Sequence, residues 1–261
     1  MMNKDQLENT AKILTNLWLD GKIILALPDK NCPRSKEDAY KIQSYFEQIS
    51  HYPLFGWKAA ATRTGGNKIT NIDGPILGRL IAERRIDNNS VCSLKANRMC
   101  VAEPEFAFKM AKNFKPRLEP YTIEEVADGV ESLYPAIEIP STRLSNFKEV
   151  DTSLIIADNA LAHEYIIGNA YKYWRGVNLS KQRVIGETPY FRRIGTGANV
   201  MNDPLIALTW VVNELSQYSI VLKAGQFVLT GTCIDPIPVK SGEYFKADFG
   251  KIGSVSVKFC E

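Results

Sequence analysis

The stretch that most constrains this chain is Met99-Cys-Val-Ala-Glu-Pro-Glu-Phe-Ala-Phe-Lys109. Two carboxylates, Glu103 and Glu105, stand two positions apart within an otherwise apolar run. Side chains at i and i+2 of a strand share a face, so the two glutamates project side by side, with Ala102, Pro104 and Phe106 opposite. Two such charges repel by roughly 4 kcal/mol at about 4 Å and an effective dielectric near 20. Water, a shared proton or a cation must compensate. The pair reads as half of a divalent-metal site. The competing reading, a solvated polar strand face, is weakened by the apolar flanks.

Only two histidines occur, His51 and His163, and the five cysteines include no C-x-x-C pair. A zinc site built on imidazole or thiolate is therefore disfavoured, and oxygen ligands point to magnesium or manganese. The odd cysteine count fits a reduced, cytoplasmic protein rather than a disulfide framework. A net charge of +3, without a basic block, argues against a nucleic-acid partner. No apolar run reaches the roughly 20 residues of a membrane span, and the first residues lack a signal peptide's apolar core.

Helical periodicity marks 5–24, with Leu7, Ala11, Leu14 and Trp18 on one face, and a second helix capped by Ser35. From Leu54 the texture becomes β-rich, and no linker separates the two parts. The expected organisation is α+β: an N-terminal helical region over 1–52 and a metal-binding, β-rich catalytic core over 53–261, within one structural unit, its mixed sheet rolled into a barrel. Pro104 lacks an N–H, which places its strand at an edge or beside a bulge. Thr122-Ile-Glu-Glu125 is a capping box opening a helix that carries Val126, Val130 and Leu133. Asp203-Pro204 opens another helix.

A third carboxylate, Glu138, lies in Ile137-Glu138-Ile139, thirty-three positions after Glu105. That interval holds one helix between two strands and lets Glu138 return beside the first two. Lys58, within Phe-Gly-Trp-Lys-Ala-Ala-Ala, is either a buried proton carrier or a lysine snorkelling from an edge. Asp73 sits in an Asp-Gly-Pro turn, His163 reads as structural, and the loops Thr64-Gly-Gly-Asn and Thr230-Gly-Thr232 bring backbone close to something small.

Taken in order, several stretches carry a resemblance that spans the whole chain. They are Gly56-Trp-Lys58, Asp73-Gly-Pro-Ile-Leu-Gly-Arg-Leu80, Glu103-Pro-Glu-Phe-Ala-Phe108, Tyr134-Pro-Ala-Ile-Glu138, Ala157-Asp-Asn159, Leu222-Lys-Ala-Gly-Gln226, Thr230-Gly-Thr232 and Ala247-Asp-Phe-Gly250. The chain resembles the 2-keto-4-pentenoate hydratase / 4-oxalocrotonate decarboxylase group of the fumarylacetoacetate hydrolase superfamily. The resemblance implies a β-barrel-like core with an N-terminal helical region, a homo-oligomer, and Mg2+ or Mn2+ on Glu103, Glu105 and Glu138. It implies Lys58 and Asp73 as catalytic residues, and Thr62, Arg63, Asn159 and Thr232 as substrate contacts. It implies a hydratase, a carbon–oxygen lyase of aromatic catabolism that adds water to a 2-hydroxy-dienoate or 2-keto-enoate through a metal-stabilised enolate. A 2-keto-acid decarboxylase, a hydrolase of carbon–carbon bonds and a catalytically silent metal-binding homologue are the alternatives. Two departures touch the substrate side. Ala160-Leu-Ala-His163 replaces a serine-rich continuation, and Arg63 puts a fixed cation where a small hydroxyl is expected. Such a cation suits a second substrate carboxylate.

Overall fold

The structure, a computed structural model, describes residues 1–63 and 72–261. The glycine-rich loop expected over 64–68 falls outside the described residues. Helix α1 (Lys4–Asp20) carries a capping box between Asn3 and Gln6 and stops earlier than the periodicity suggests, because Gly21 turns the chain left-handed. Helix α2 (Lys36–Ser44) is capped by the Ser35 side chain, as expected. Then come β1 (Gly56–Ala60), β2 (Ile76–Leu80), β3 (Arg85–Ile86), β4 (Ser90–Ser93) and β5 (Val101–Met110). Helix α3 (Ile123–Asp128) leads into β6 (Val130–Ile139), α4 (Thr152–Ala157) and β7 (Glu164–Ile167). The last part comprises β8 (Arg183–Glu187), β9 (Arg192–Thr196), α5 (Pro204–Gln217), β10 (Phe227–Thr232), β11 (Ile237–Pro238), β12 (Tyr244–Asp248) and β13 (Ser254–Cys260).

The capping box at Thr122 is present, but α3 ends at Asp128 and not beyond Leu133. Gly129 caps it, and the next ten residues, dense in Val, Leu, Tyr and Ile, form a strand instead. Val130 and Leu133 had the spacing of a helical stripe but belong to that strand.

The main sheet runs β2-β1-β10-β5-β6-β7-β3, with β11 paired to β5. A second sheet runs β4-β13-β12-β8-β9. The class is α+β, but the expected barrel is a half-barrel. The end strands β2 and β3 do not pair with each other, and β3 is only two residues long, so the curl stays open. One main core joins Leu14, Trp18 and Phe46 of the N-terminal helices to Trp57, Phe106, Phe108 and Ile137 of the sheet. Each buried Phe contributes roughly 2–3 kcal/mol by leaving water. The other face of the sheet holds a smaller cluster, including Leu80, Ala107, Ala136, Tyr165 and Leu229. The alternation along β5 thus separates Phe106 and Phe108 from Glu103, Glu105 and Ala107.

Candidate metal centre

Strand β5 lies between β10 and β6, so Pro104 is not at an edge of the sheet. The irregularity that accommodates it is on the neighbouring strand. Leu229 pairs with Ala107 and Thr232 with Glu105, which leaves one extra residue on β10. Cys233 N–H resumes the ladder by donating to Pro104 O at 3.0 Å. The bulge aims Gly231 N–H at Glu105, which accepts through Oε2 at 2.7 Å. Gly231 has φ +102°, and a Cβ there would lie 1.9 Å from Thr62 Oγ1, so only glycine fits.

On the other side, β6 pairs antiparallel with β5 and sets Glu138 directly opposite Glu103. Glu103, Glu105 and Glu138 each present an oxygen within 4.8 Å of the others. Glu105 and Glu138 are fully buried, and Glu103 is partly so. Lys58, on β1 and also buried, places Nζ 2.9 Å from Glu138 Oε1. Its hydrogen bond goes to Oε2 at 3.2 Å, so Oε1 and the buried Glu105 Oε1 accept none.

One ammonium therefore faces three carboxylates. Burial, with the Glu138 charge adding to it, pushes Glu103 up to about 7, against the opposing charges of Lys58 and Arg63. Glu105 is pushed well above the carboxylate range by burial, then by Glu138 and Glu103, while Lys58 and the Gly231 N–H pull the other way. A buried donor set of carboxylates only, with excess negative charge and two oxygens lacking hydrogen bonds, fits a hard divalent cation.

The remaining sequence-derived positions divide into those at the cluster and those beside it. Thr62 is buried and donates through Oγ1 to Thr230 O at 2.9 Å, locking the end of β1 to the bulge. Thr232, opposite Glu105, spends its hydroxyl on Ile234 O at 2.7 Å. Arg63 pairs through Nη1 with Asp235, and its charge reaches Glu103. Asn159 holds the backbone of Arg79 in both directions, accepting from N at 2.7 Å and donating to O at 2.9 Å. Its side chain is thus committed to β2, and its carbonyl packs over Gly78, the partner of Lys58 across the strands. Asp73 is exposed, its N–H donates to Thr152 Oγ1 at 2.9 Å, and its carboxylate bonds to none of the three glutamates. His163 is buried against Glu164 and Trp18, and burial lowers its pKa, as befits a structural group.

Sequence reasoning missed three residues here. Asp235 carried only a turn signal through Asp-Pro, although it is the partner of Arg63. The buried Cys233 thiol is pushed up by burial and by the Glu105 charge. Gly231 was visible as a glycine loop but not as the donor to a ligand. Two surface grooves along 217–226, of about 390 and 660 Å3, include none of the three glutamates.

No family model matches the chain. Solved structures resemble it closely. The 4-oxalocrotonate decarboxylase from Pseudomonas putida G7, complexed with magnesium and adipate, superposes with a TM-score of 0.89 at 22% identity, covering 99% of each chain. The fold is thus that of the 4-oxalocrotonate decarboxylase structure. At the level of sequence, the 2-keto-4-pentenoate hydratase of Paraburkholderia xenovorans (strain LB400) is 29% identical over 267 residues, covering 99% of this chain and 96% of its own. The 2-oxo-hept-4-ene-1,7-dioate hydratase of Escherichia coli is 28% identical over 244 residues, covering 85% and 86%. Over its whole length the chain is similar to the 2-keto-4-pentenoate hydratase / 4-oxalocrotonate decarboxylase group.

Proposed function

We propose that the protein is a metal-dependent lyase that adds water to a 2-hydroxy-dienoate or its 2-keto-enoate tautomer, as in 2-keto-4-pentenoate hydration. The observation that carries this reading is the convergence of Glu103, Glu105 and Glu138 within 4.8 Å. Glu103, Glu105 and Glu138 would hold Mg2+ or Mn2+. When bound, the ion supplies charge stabilisation for the oxygen on which an enolate develops.

The chain's own groups do the rest. Lys58 Nζ is buried, 2.9 Å from Glu138 Oε1. From there it exchanges protons with the substrate carbon framework. Asp73, at the turn ahead of β2, is the second proposed proton carrier, serving the incoming water. Water adds its oxygen to the distal alkene carbon and leaves a proton on the adjacent carbon, so the addition balances. The bulge at Gly231 orients Glu105, and the Asn159 carbonyl over Gly78 shapes the wall beside Lys58. Thr62, Arg63 and Thr232 lie on the substrate side, with Asn159 acting through its backbone. The protein is further proposed to work as a cytoplasmic homo-oligomer in aromatic catabolism, with 1–52 as a helical region on the catalytic core of 53–261. No helix among the described residues is long and apolar enough to cross a membrane.

A second reading, decarboxylation of a 2-keto acid, draws on the likeness to 4-oxalocrotonate decarboxylase and uses the same charge stabilisation. NMR product analysis with magnesium and a panel of unsaturated 2-keto acids separates the two. A hydrated product supports the lyase adding water, and carbon dioxide release supports the decarboxylase. If the magnesium-loaded protein turns over none of them, the enzyme reading fails.

A further inference from the structure

A chain of contacts ties Arg63 to the carboxylate cluster. Gly231 N–H holds Glu105, Thr62 Oγ1 packs on Gly231, and Arg63 is the next residue. A backbone bridge between Arg63 and Val200 fixes the main chain at that point. The side chain is about a third exposed, at 30%, and pairs through Nη1 with Asp235.

Asp235 does not float. Cys233 N–H donates to Pro104 O, Asn199 holds Cys233 O at 2.8 Å, and Arg193 holds Pro236 O. A carboxylate on a braced turn therefore grips one end of the guanidinium. Arginine carries five N–H donors in a planar fork, and a carboxylate takes two of them side by side. Asp235 engages Nη1 only, and Nε and Nη2 bond to none of the described residues.

We propose that the Nε–Nη2 edge of Arg63 binds a second, distal carboxylate of the substrate, with Asp235 as the residue that positions the guanidinium. This rests on the 2-keto-acid reading above and narrows it to 2-keto dicarboxylic acids. The acid's 2-keto end lies toward the glutamates and its far carboxylate meets Arg63.

The test is calorimetric binding of two unreactive, equally long acids to magnesium-loaded protein: 2-oxoadipate, with a distal carboxylate, and 2-oxohexanoate, without one. Wild-type protein binds 2-oxoadipate about tenfold or more tightly than 2-oxohexanoate. In Arg63→Ser the ratio falls to near one. In Asp235→Asn it falls several-fold, and Asp235→Glu restores it, which a merely structural turn residue would not do. A wild-type ratio near one, or a ratio unchanged in Arg63→Ser, overturns the proposal. Turnover of the unsaturated acids is read separately. A protein that binds with the expected ratio but turns nothing over keeps Arg63 as the diacid site and sinks only the catalytic reading.

Discussion

Replacing Glu105 by glutamine separates what the buried carboxylate costs the fold from what it gives the cation. Without metal, Glu105 is wholly buried, with oxygens of Glu103 and Glu138 within 4.8 Å. At that distance and an effective dielectric of about 20, each ionised pair costs roughly 3 kcal/mol. That is an upper bound, because Glu105 is pushed well above the carboxylate range and sheds part of the cost by taking up a proton. Glutamine removes the charge, keeps the shape, and still offers an oxygen to the Gly231 N–H. The metal-free variant should therefore melt higher than metal-free wild type by about 2–6 °C, for a gain of roughly 1–2 kcal/mol. Magnesium affinity moves the other way. Losing one of three anionic ligands should weaken it by roughly a hundredfold or more. The assay pairs magnesium titration calorimetry with melting curves in chelator and in excess magnesium. Wild-type magnesium affinity in the variant, or a metal-free variant that melts several degrees lower, would refute the ligand assignment.

The pH dependence of metal binding has a definite sign. Folding raises Glu103 to about 7, so its contribution to metal-free stability is fully present below its unfolded value of about 4.5 and is lost as pH rises through about 7. Protons and magnesium compete for the same oxygens, so magnesium should bind more weakly as pH falls from 8 to 6, measured by calorimetry at fixed ionic strength. Lys58→Met removes the cation 2.9 Å from Glu138. It should lower turnover by about 10²-fold or more while magnesium still binds, and it should cost the metal-free fold about 3–5 kcal/mol, seen as a melting loss that magnesium largely reverses. Gly231→Ala forces a Cβ to within 1.9 Å of Thr62 Oγ1 at a positive φ. It should lose about 1–3 kcal/mol in denaturant unfolding and weaken magnesium binding by moving the N–H that orients Glu105.

How far the site was legible in the chain depended on whether its cause was local. The shared face of Glu103 and Glu105 follows from the two-residue period of a strand, and the structure has both on the face opposite Phe106. Glu138 was visible only as a carboxylate free to return, because pairing Glu103 with Glu138 is a register set by the whole β5–β6 ladder. Pro104 announced an irregularity, but its missing N–H did not tell which strand would yield. The bulge fell on β10, more than a hundred residues away in sequence.

The same limit explains the errors. Val126, Val130 and Leu133 have helical spacing, yet Gly129 stops the helix and tertiary pairing turns 130–139 into a strand. A sheet rolled into a barrel was expected because local patterning does not reveal whether two end strands will meet, and here β2 and β3 do not. The resemblance implies Asn159 as a substrate contact, and the structure adds what sequence did not show, that both ends of its amide hold the backbone of Arg79. Asp235 escaped notice because an ion pair across 172 positions leaves no local trace.

Three glutamates from two adjacent strands are proposed to hold one divalent ion jointly. Crystals grown with Mn2+ test this most directly, through the anomalous scattering of the metal. One strong anomalous peak is expected, bounded by carboxylate oxygens of Glu103, Glu105 and Glu138 and absent from crystals of the Glu105→Gln variant. Full manganese occupancy elsewhere, with nothing among these three side chains, would contradict it.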